Sequence, residues 1–225
     1  MEGKVLAGRE CQRNGQGYKV TDDMPTNTTT IFGLLDLMNT DDSDLCFIDS
    51  MPTGSNFDST DGSGARRGES VAKVWPADAR CDMSPEVGGM KLADFVGNTV
   101  RLLIVHERIK NVMERTNEGK IEYLPLSIFN HKKRLASKDF FVVNPLGTDD
   151  VLDLGKSKIQ RSGKDIVDID KMILDPEKMK RAPDIFRPRE APTSYIISKR
   201  VAAALLKLVP KPVLNYSDVF DLDED

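Results

Sequence analysis

Apolar residues fall in short islands up to about residue 90 and in longer, more regular runs beyond it. The early islands are Tyr18-Lys19-Val20, the stretch from Ile31 to Met38, and Leu45-Cys46-Phe47-Ile48, separated by stretches rich in Asp, Asn, Thr and Gly. Of these, only 31–38 has the density of a helix or strand. Residues 53–70 have almost nothing to bury and cannot offset the entropy of ordering themselves, which predicts a long, mobile surface loop. Val71 to Trp75 predicts a strand, with the single tryptophan as a core anchor. Lys91 to Val96 predicts a short helix stopped by Gly97-Asn98. Phe140-Phe141-Val142-Val143, ended by Asn144-Pro145, is the continuous apolar run of a strand buried on both faces. Extended pieces follow at 151–154, 166–169 and 171–174. Asp175-Pro176-Glu177 then supplies an N-cap, a proline at the first helical position and an acid in the first turn, predicting a brief helix to Lys180.

One strand-helix-strand pattern occurs twice, at about 101–129 and 194–217. The run from Leu103 to Met113 aligns with that from Tyr195 to Leu205: a short apolar run, a polar triplet ending in Arg108 or Arg200, then apolar positions at helical spacing. Each copy leaves through a turn into a second extended run, 121–126 in the first and 212–216 in the second. In the second copy Ser198 is placed to cap a helix that buries Val201, Leu205 and Leu208 and ends at Pro210. The mixture predicts an α+β fold: a mixed, mostly antiparallel sheet, a few short helices and a duplicated unit.

Composition narrows the class. At 225 residues, with 39% hydrophobic and 30% charged residues, the chain is that of a globular protein. It holds no apolar run of about 18 residues, and its N-terminus lacks the apolar core of a signal peptide, so a cytoplasmic protein is expected. Cys11, Cys46 and Cys81 form neither a disulfide framework nor a zinc pattern. The net charge of −4 conceals a division: −7 over residues 1–64, +8 over 65–217 and −5 over 218–225. The acidic segments suit a basic partner, although solvation of a loop and a frayed terminus would account for them as well.

Chemical signatures are thin. Gly147 to Ser157 ends like a phosphate-binding loop but has seven residues between its glycines instead of four, and Asp149 and Asp150 would repel the anion. Gly62 to Gly68 misses the dinucleotide fingerprint by one residue and follows no strand. His106 stands at a strand-helix junction, where polar residues commonly cap, and His131 lies in the basic cluster 131–134, which reads as a solvated loop and not as a nucleic-acid site. No cofactor, metal, nucleic acid or membrane is implied. A hydrolase site assembled from His106, Asp149, Asp150 and Asp153 remains an alternative, as does a scaffolding module that dimerises through the doubled unit.

Five pieces in order carry a family resemblance: 139–144, 151–157, 169–175, Pro183-Asp184-Ile185-Phe186-Arg187 and 195–200. Together they resemble a bacterial immunity-protein family of polymorphic toxin systems, the eleventh, once catalogued as a domain of unknown function. The likeness reaches back loosely to Leu92; residues 1–90 match poorly, so the chain divides into a divergent N-terminal part, 1–90, and an immunity-like part, 91–225, of one continuous globule. The resemblance implies a non-catalytic cytoplasmic protein that binds and blocks the C-terminal domain of a toxin encoded beside it, often a nuclease. It places Asp153, Ser157, Phe186 and Arg187 at recurrent family positions, where structural roles are expected: a turn after a strand for Asp153 and Ser157, the core for Phe186 and a buried or half-buried charge pair for Arg187. Joined to the charge map, it makes Asp41, Asp42, Asp44, Asp49, Asp218, Asp221 and Asp223 the candidate contacts with a basic toxin domain.

Overall fold

The computed structural model describes residues 32–35, 37, 42–58, 60–213 and 216–219. In chain order the strands are β1 (Phe32–Leu35), β2 (Phe47–Ile48), β3 (Arg80–Asp82), β4 (Gly97–Asn98), β5 (Leu103–His106), β6 (Ile121–Phe129), β7 (Leu135–Pro145), β8 (Lys158–Ser162), β9 (Asp165–Lys171), β10 (Ile185–Phe186), β11 (Ile196–Ser198) and β12 (Tyr216–Val219). The α-helices are α1 (Glu107–Thr116), α2 (Pro176–Met179) and α3 (Lys199–Leu205), and a 3-10 turn spans Ser63–Arg67. Two four-stranded sheets form, in the orders β3-β6-β7-β5 and β10-β11-β1-β12, beside the small pairs β2-β4 and β8-β9. Most of the pairings are antiparallel, as an α+β fold requires.

Alternation along the strands puts both large sheets between cores. In the first sheet Ile104, Leu126, Phe140 and Val142 enter one core with Cys46, Ile48, Ala65 and Cys81. Their neighbours Leu103, Val105 and Val143 enter a second, with Ile109, Val112 and Met113 of α1 and Val201 and Leu205 of α3. In the second sheet Leu35, Ile185 and Ile197 join that helical core, whereas Phe186 and Ile196 face a third with Val151, Leu152 and Leu174. The layers therefore run core, sheet, helix pair, sheet, core. Residues on both sides of position 90 share the first core.

The duplicated unit is real in three dimensions. His106 caps α1, its Nδ1 accepting from Arg108 N at 3.2 Å, and Ser198 caps α3, its Oγ accepting from Val201 N at 3.3 Å. Each incoming strand is preceded by an antiparallel partner, Phe95 beside Val105 and Ile185 beside Ile197. Each helix presents its arginine as a fork to the aspartate of that partner, Arg108 to Asp94 and Arg200 to Asp184. The same aspartates accept backbone bonds from His106 N and Ser198 N, both at 2.8 Å. Registers agree as well: His106 faces Phe140 as Ser198 faces Phe32, and across the central strand Val143 faces Tyr123 as Leu35 faces Tyr216. The units differ in where the central strand comes from, since β7 follows its unit in the chain and β1 precedes its own. They also clasp one another: Arg108 Nη1 donates to Pro210 O at 2.8 Å, and Arg200 approaches Glu118 at 3.7 Å.

Several segments depart from expectation: α3 ends at Leu205 and not at Pro210, and the second unit's outgoing strand is β12 from Tyr216, with residues 212–213 outside any strand. Val71–Trp75 is a turn, closed by bonds from Val74 N and Trp75 N to Val71 O, although Trp75 still packs on the first core and donates to Pro125 O at 2.8 Å. Lys91–Val96 is extended, because pairing with Leu45 and Val105 and the grip of Arg108 on Asp94 outweigh its helical spacing. The 53–70 stretch buries Phe57 and Ala65, and Gly68 takes the left-handed φ of 76° against Gly147.

Candidate functional site

The most constrained polar group in the fold is Arg187, which is fully buried. It directly follows β10, and its guanidinium donates to Ala65 O (2.7 Å), Arg66 O (3.1 Å), Pro145 O (3.2 Å) and Pro192 O (2.8 Å), to Asn144 Oδ1 (3.3 Å) and to Tyr195 Oη (2.8 Å). It also lies 4.1 Å from the centre of the Tyr195 ring. Burial lowers its pKa, partly offset by Tyr195, and raises that of the Tyr195 phenol. The expected charge pair is absent: among the described residues no carboxylate ion-pairs with Arg187. The backbone carbonyls of 65 and 66 supply the acceptors instead, and this is what fastens the apolar-poor 53–70 stretch. Beside it Glu122 accepts from Ser70 Oγ (2.5 Å), Val71 N (3.1 Å) and Asn144 Nδ2 (3.1 Å). Sequence reasoning missed Glu122, Asn144 and Tyr195; the signal was a stretch too poor in apolar side chains to hold itself, which needs donors from elsewhere.

The other positions secure the chain on either side of β8-β9. Asp153 Oδ1 accepts from Gly155 N (3.0 Å) and Lys156 N (3.1 Å), a turn built on one side-chain oxygen. Buried Ser157 Oγ accepts from Ile173 N at 3.0 Å and donates to Ile173 O at 3.3 Å, closing the base of the ribbon. Phe186 is buried in the third core.

Residues 48–218 match the Immunity protein family (Imm11), a span that contains all five pieces of the resemblance and begins ahead of the 53–70 stretch. The chain belongs to this family. A search of curated proteins finds no match. Membership supports an immunity function, whose partner is a toxin.

In this immunity-family chain the candidate acidic contacts are partly engaged. Asp42 accepts from Asp44 N (2.9 Å) and meets Lys91 (3.4 Å); the backbone N–H, then Lys91, hold its carboxyl below the ordinary value. Asp44 and Asp49 are exposed on either side of the buried Leu45-Cys46 pair. Asp218 lies in β12, opposite Gly33, whereas Asp41, Asp221 and Asp223 fall outside the described residues. Among the described residues no hydrogen bond or ion pair gathers the scattered alternative site. His106 caps a helix, Asp149 pairs its backbone with Arg187 and Arg189, and Asp150 meets Lys178 (2.7 Å) and Arg189 (3.3 Å). Cys46 and Cys81 are buried free thiols, and burial pushes the Cys46 pKa up to about 11. No helix among the described residues is long and apolar enough to cross a membrane.

Proposed function

We propose that the chain is a non-catalytic immunity protein that binds and neutralises the C-terminal domain of a toxin encoded beside it, in the cytoplasm. Family membership over residues 48–218 carries this reading. The finer reading is that the toxin is a nuclease, whose phosphate-binding surface is basic, and that clustered carboxylates occupy that surface with fast, salt-sensitive association. Asp44 and Asp49 are exposed for that role, with Asp42 beside them and Asp41, Asp218, Asp221 and Asp223 completing the acidic set.

Titration calorimetry against the adjacent gene's C-terminal domain, at two salt concentrations, tests both levels. Saturable binding at nanomolar strength supports immunity, and loss of affinity at higher salt supports the acidic contact. Replacement of the seven aspartates by asparagine is expected to weaken binding and flatten its salt dependence. Unchanged affinity and salt slope would remove the acidic surface from the mechanism, and no binding by the native protein would remove the pairing.

A further inference from the structure

The tip of the β6-β7 hairpin and the start of β7, residues 130–138, carry Lys132, Lys133, Arg134 and Lys138 and no acid. The stretch 156–164 holds as many bases, but there β9 sets Asp165, Asp168 and Asp170 against them, whereas the facing half of β6, 123–129, holds no charged residue. On the far side of β6, β3 brings Arg80 and Asp82. Asp82 is taken by Lys133 at 3.0 Å, and Asp139 accepts from Ser137 Oγ at 3.2 Å. With these neighbours counted, residues 80–82 and 123–139 hold five bases and two acids, a net +3. Lys132, Arg134 and Lys138 are exposed and have no ion pair among the described residues. The surplus is not confined to this end: the family-matched span, 48–218, holds 28 bases and 24 acids.

The tip is held in shape from within. Asn130 Oδ1 accepts from Lys132 N (2.9 Å) and Arg134 N (3.1 Å), Asn130 N donates to Arg134 O (2.9 Å), and Lys133 turns the chain with a left-handed φ of 56°. The pairing of β5 with β7 ends at His106 and Phe140, so 135–139 have a strand on the β6 side only, among the described residues. Leu135 stands there 46% exposed, opposite Phe129, whose ring centre lies 5.5 Å from the Arg80 guanidinium. The result is an exposed apolar side chain among bases that nothing neutralises.

We propose that this hairpin tip is a contact with the toxin domain, with Leu135 as its apolar centre and Lys132, Arg134 and Lys138 on an acidic part of that domain, apart from the basic surface proposed for the aspartates. This rests on the immunity reading above. Charge complementarity requires an acidic occupant. A protein is favoured over a nucleic acid, because the partner of an immunity protein is a toxin and because residues 130–138 offer no aromatic ring on which bases could stack. A second copy meeting tip to tip would set bases against their own copies.

The test is titration calorimetry of the full chain against the adjacent gene's C-terminal domain. The proteins are the native chain, Leu135→Ser, a neutral triple variant (Lys132→Gln/Arg134→Gln/Lys138→Gln) and a reversed one (Lys132→Glu/Arg134→Glu/Lys138→Glu), each also sedimented alone and titrated into a labelled single-stranded DNA. The expected result is nanomolar native binding, a loss of about 10-fold or more in Leu135→Ser and the neutral triple, and a larger loss in the reversed triple. All four side chains are exposed, so thermal midpoints should stay within about 2 °C of native. Native binding with every variant equally tight would overturn the tip as a contact and leave the immunity reading standing. Tighter binding by the reversed triple would show a basic surface opposite the tip and overturn the proposal. So would DNA binding or self-association that the variants abolish while toxin affinity stays unchanged. No native binding would overturn the immunity reading and this inference with it.

Discussion

Arg187→Met removes every donor of the buried guanidinium while keeping an unbranched side chain in its place, so the effect reads polar satisfaction more than volume. Four backbone carbonyls, those of Ala65, Arg66, Pro145 and Pro192, lose their guanidinium donor. Each buried acceptor left unsatisfied costs about 1–3 kcal/mol, and water entering the vacated site recovers part of that. Relief of the guanidinium's own desolvation recovers more. A net loss of about 4 kcal/mol results, equivalent to a fall of about 10 °C in Tm for a chain of this size. Arg187→Lys keeps the charge but not the planar fork, and should lose about half as much. Thermal unfolding followed by circular dichroism gives the magnitude, and amide exchange gives the place: protection should fall first over 64–69, where Ala65 and Glu69 donate into the turn. A fall of less than about 3 °C with exchange at 64–69 unchanged would refute the view that Arg187 holds this stretch.

Three further outcomes follow from the same contacts. Burial opposes ionisation of Glu122, but bonds from Ser70, Val71, Asn144 and Ala72 outweigh it and hold its carboxyl below the ordinary value. A depressed folded value adds stability above the unfolded pKa of about 4.3 and loses it as pH falls through the folded one, so Glu122→Gln should flatten the decline of the urea midpoint below pH 5. The duplicated arginine forks differ in exposure, 26% for the Arg108 side chain and 53% for Arg200. Arg108→Ala should therefore cost about 1–2 kcal/mol in equilibrium unfolding and Arg200→Ala less, and the reverse order would contradict the burial argument. Ser157→Ala orphans Ile173 N and should cost about 1–3 kcal/mol, with amide exchange of the ribbon rising before that of β6 and β7.

What could be read from the sequence is what is decided within a few residues. Ser198 and Asp175 were legible as helix caps because a cap is a hydroxyl or carboxylate two or three positions ahead of an amide it can reach, and Val201 and Leu205 as the buried side because their spacing is helical. The α+β mixture and the paired units were legible for the same reason. The extended state of 91–96 was not, because it depends on Arg108, fourteen residues from Asp94, and on pairing with Leu45. Nor was the burial of Ala65, which is supported from Arg187 more than a hundred residues away. The equivalence of β1 and β7 was hidden by chain order, one preceding its unit and the other following. Of the candidate site, Asp153 and Ser157 were legible as a turn, but that this turn secures a two-stranded ribbon required the register of β8 on β9.

The duplicated frame divides the labour of the chain. Asp94 and Asp184 open equivalent units, and the segments before them, 42–93 and 146–183, supply residues to the first and third cores, on the faces of the two sheets that turn away from the helices. Inside the frame the arginines, caps and helix faces are committed to holding the two units together, through Arg108 to Pro210 and Arg200 to Glu118 as well as through the shared core. A residue so committed cannot change without cost to folding, whereas exposed residues of the outer segments can. The exposed carboxylates Asp44 and Asp49 lie in one outer segment, and the anchored ribbon in the other. If the toxin contact lies in these segments, as proposed for Asp44 and Asp49, it can diverge while the frame persists. Substitutions of the exposed Asp44 and Asp49 should then move affinity with little change in Tm, and those at Arg108 and Arg187 should do the opposite.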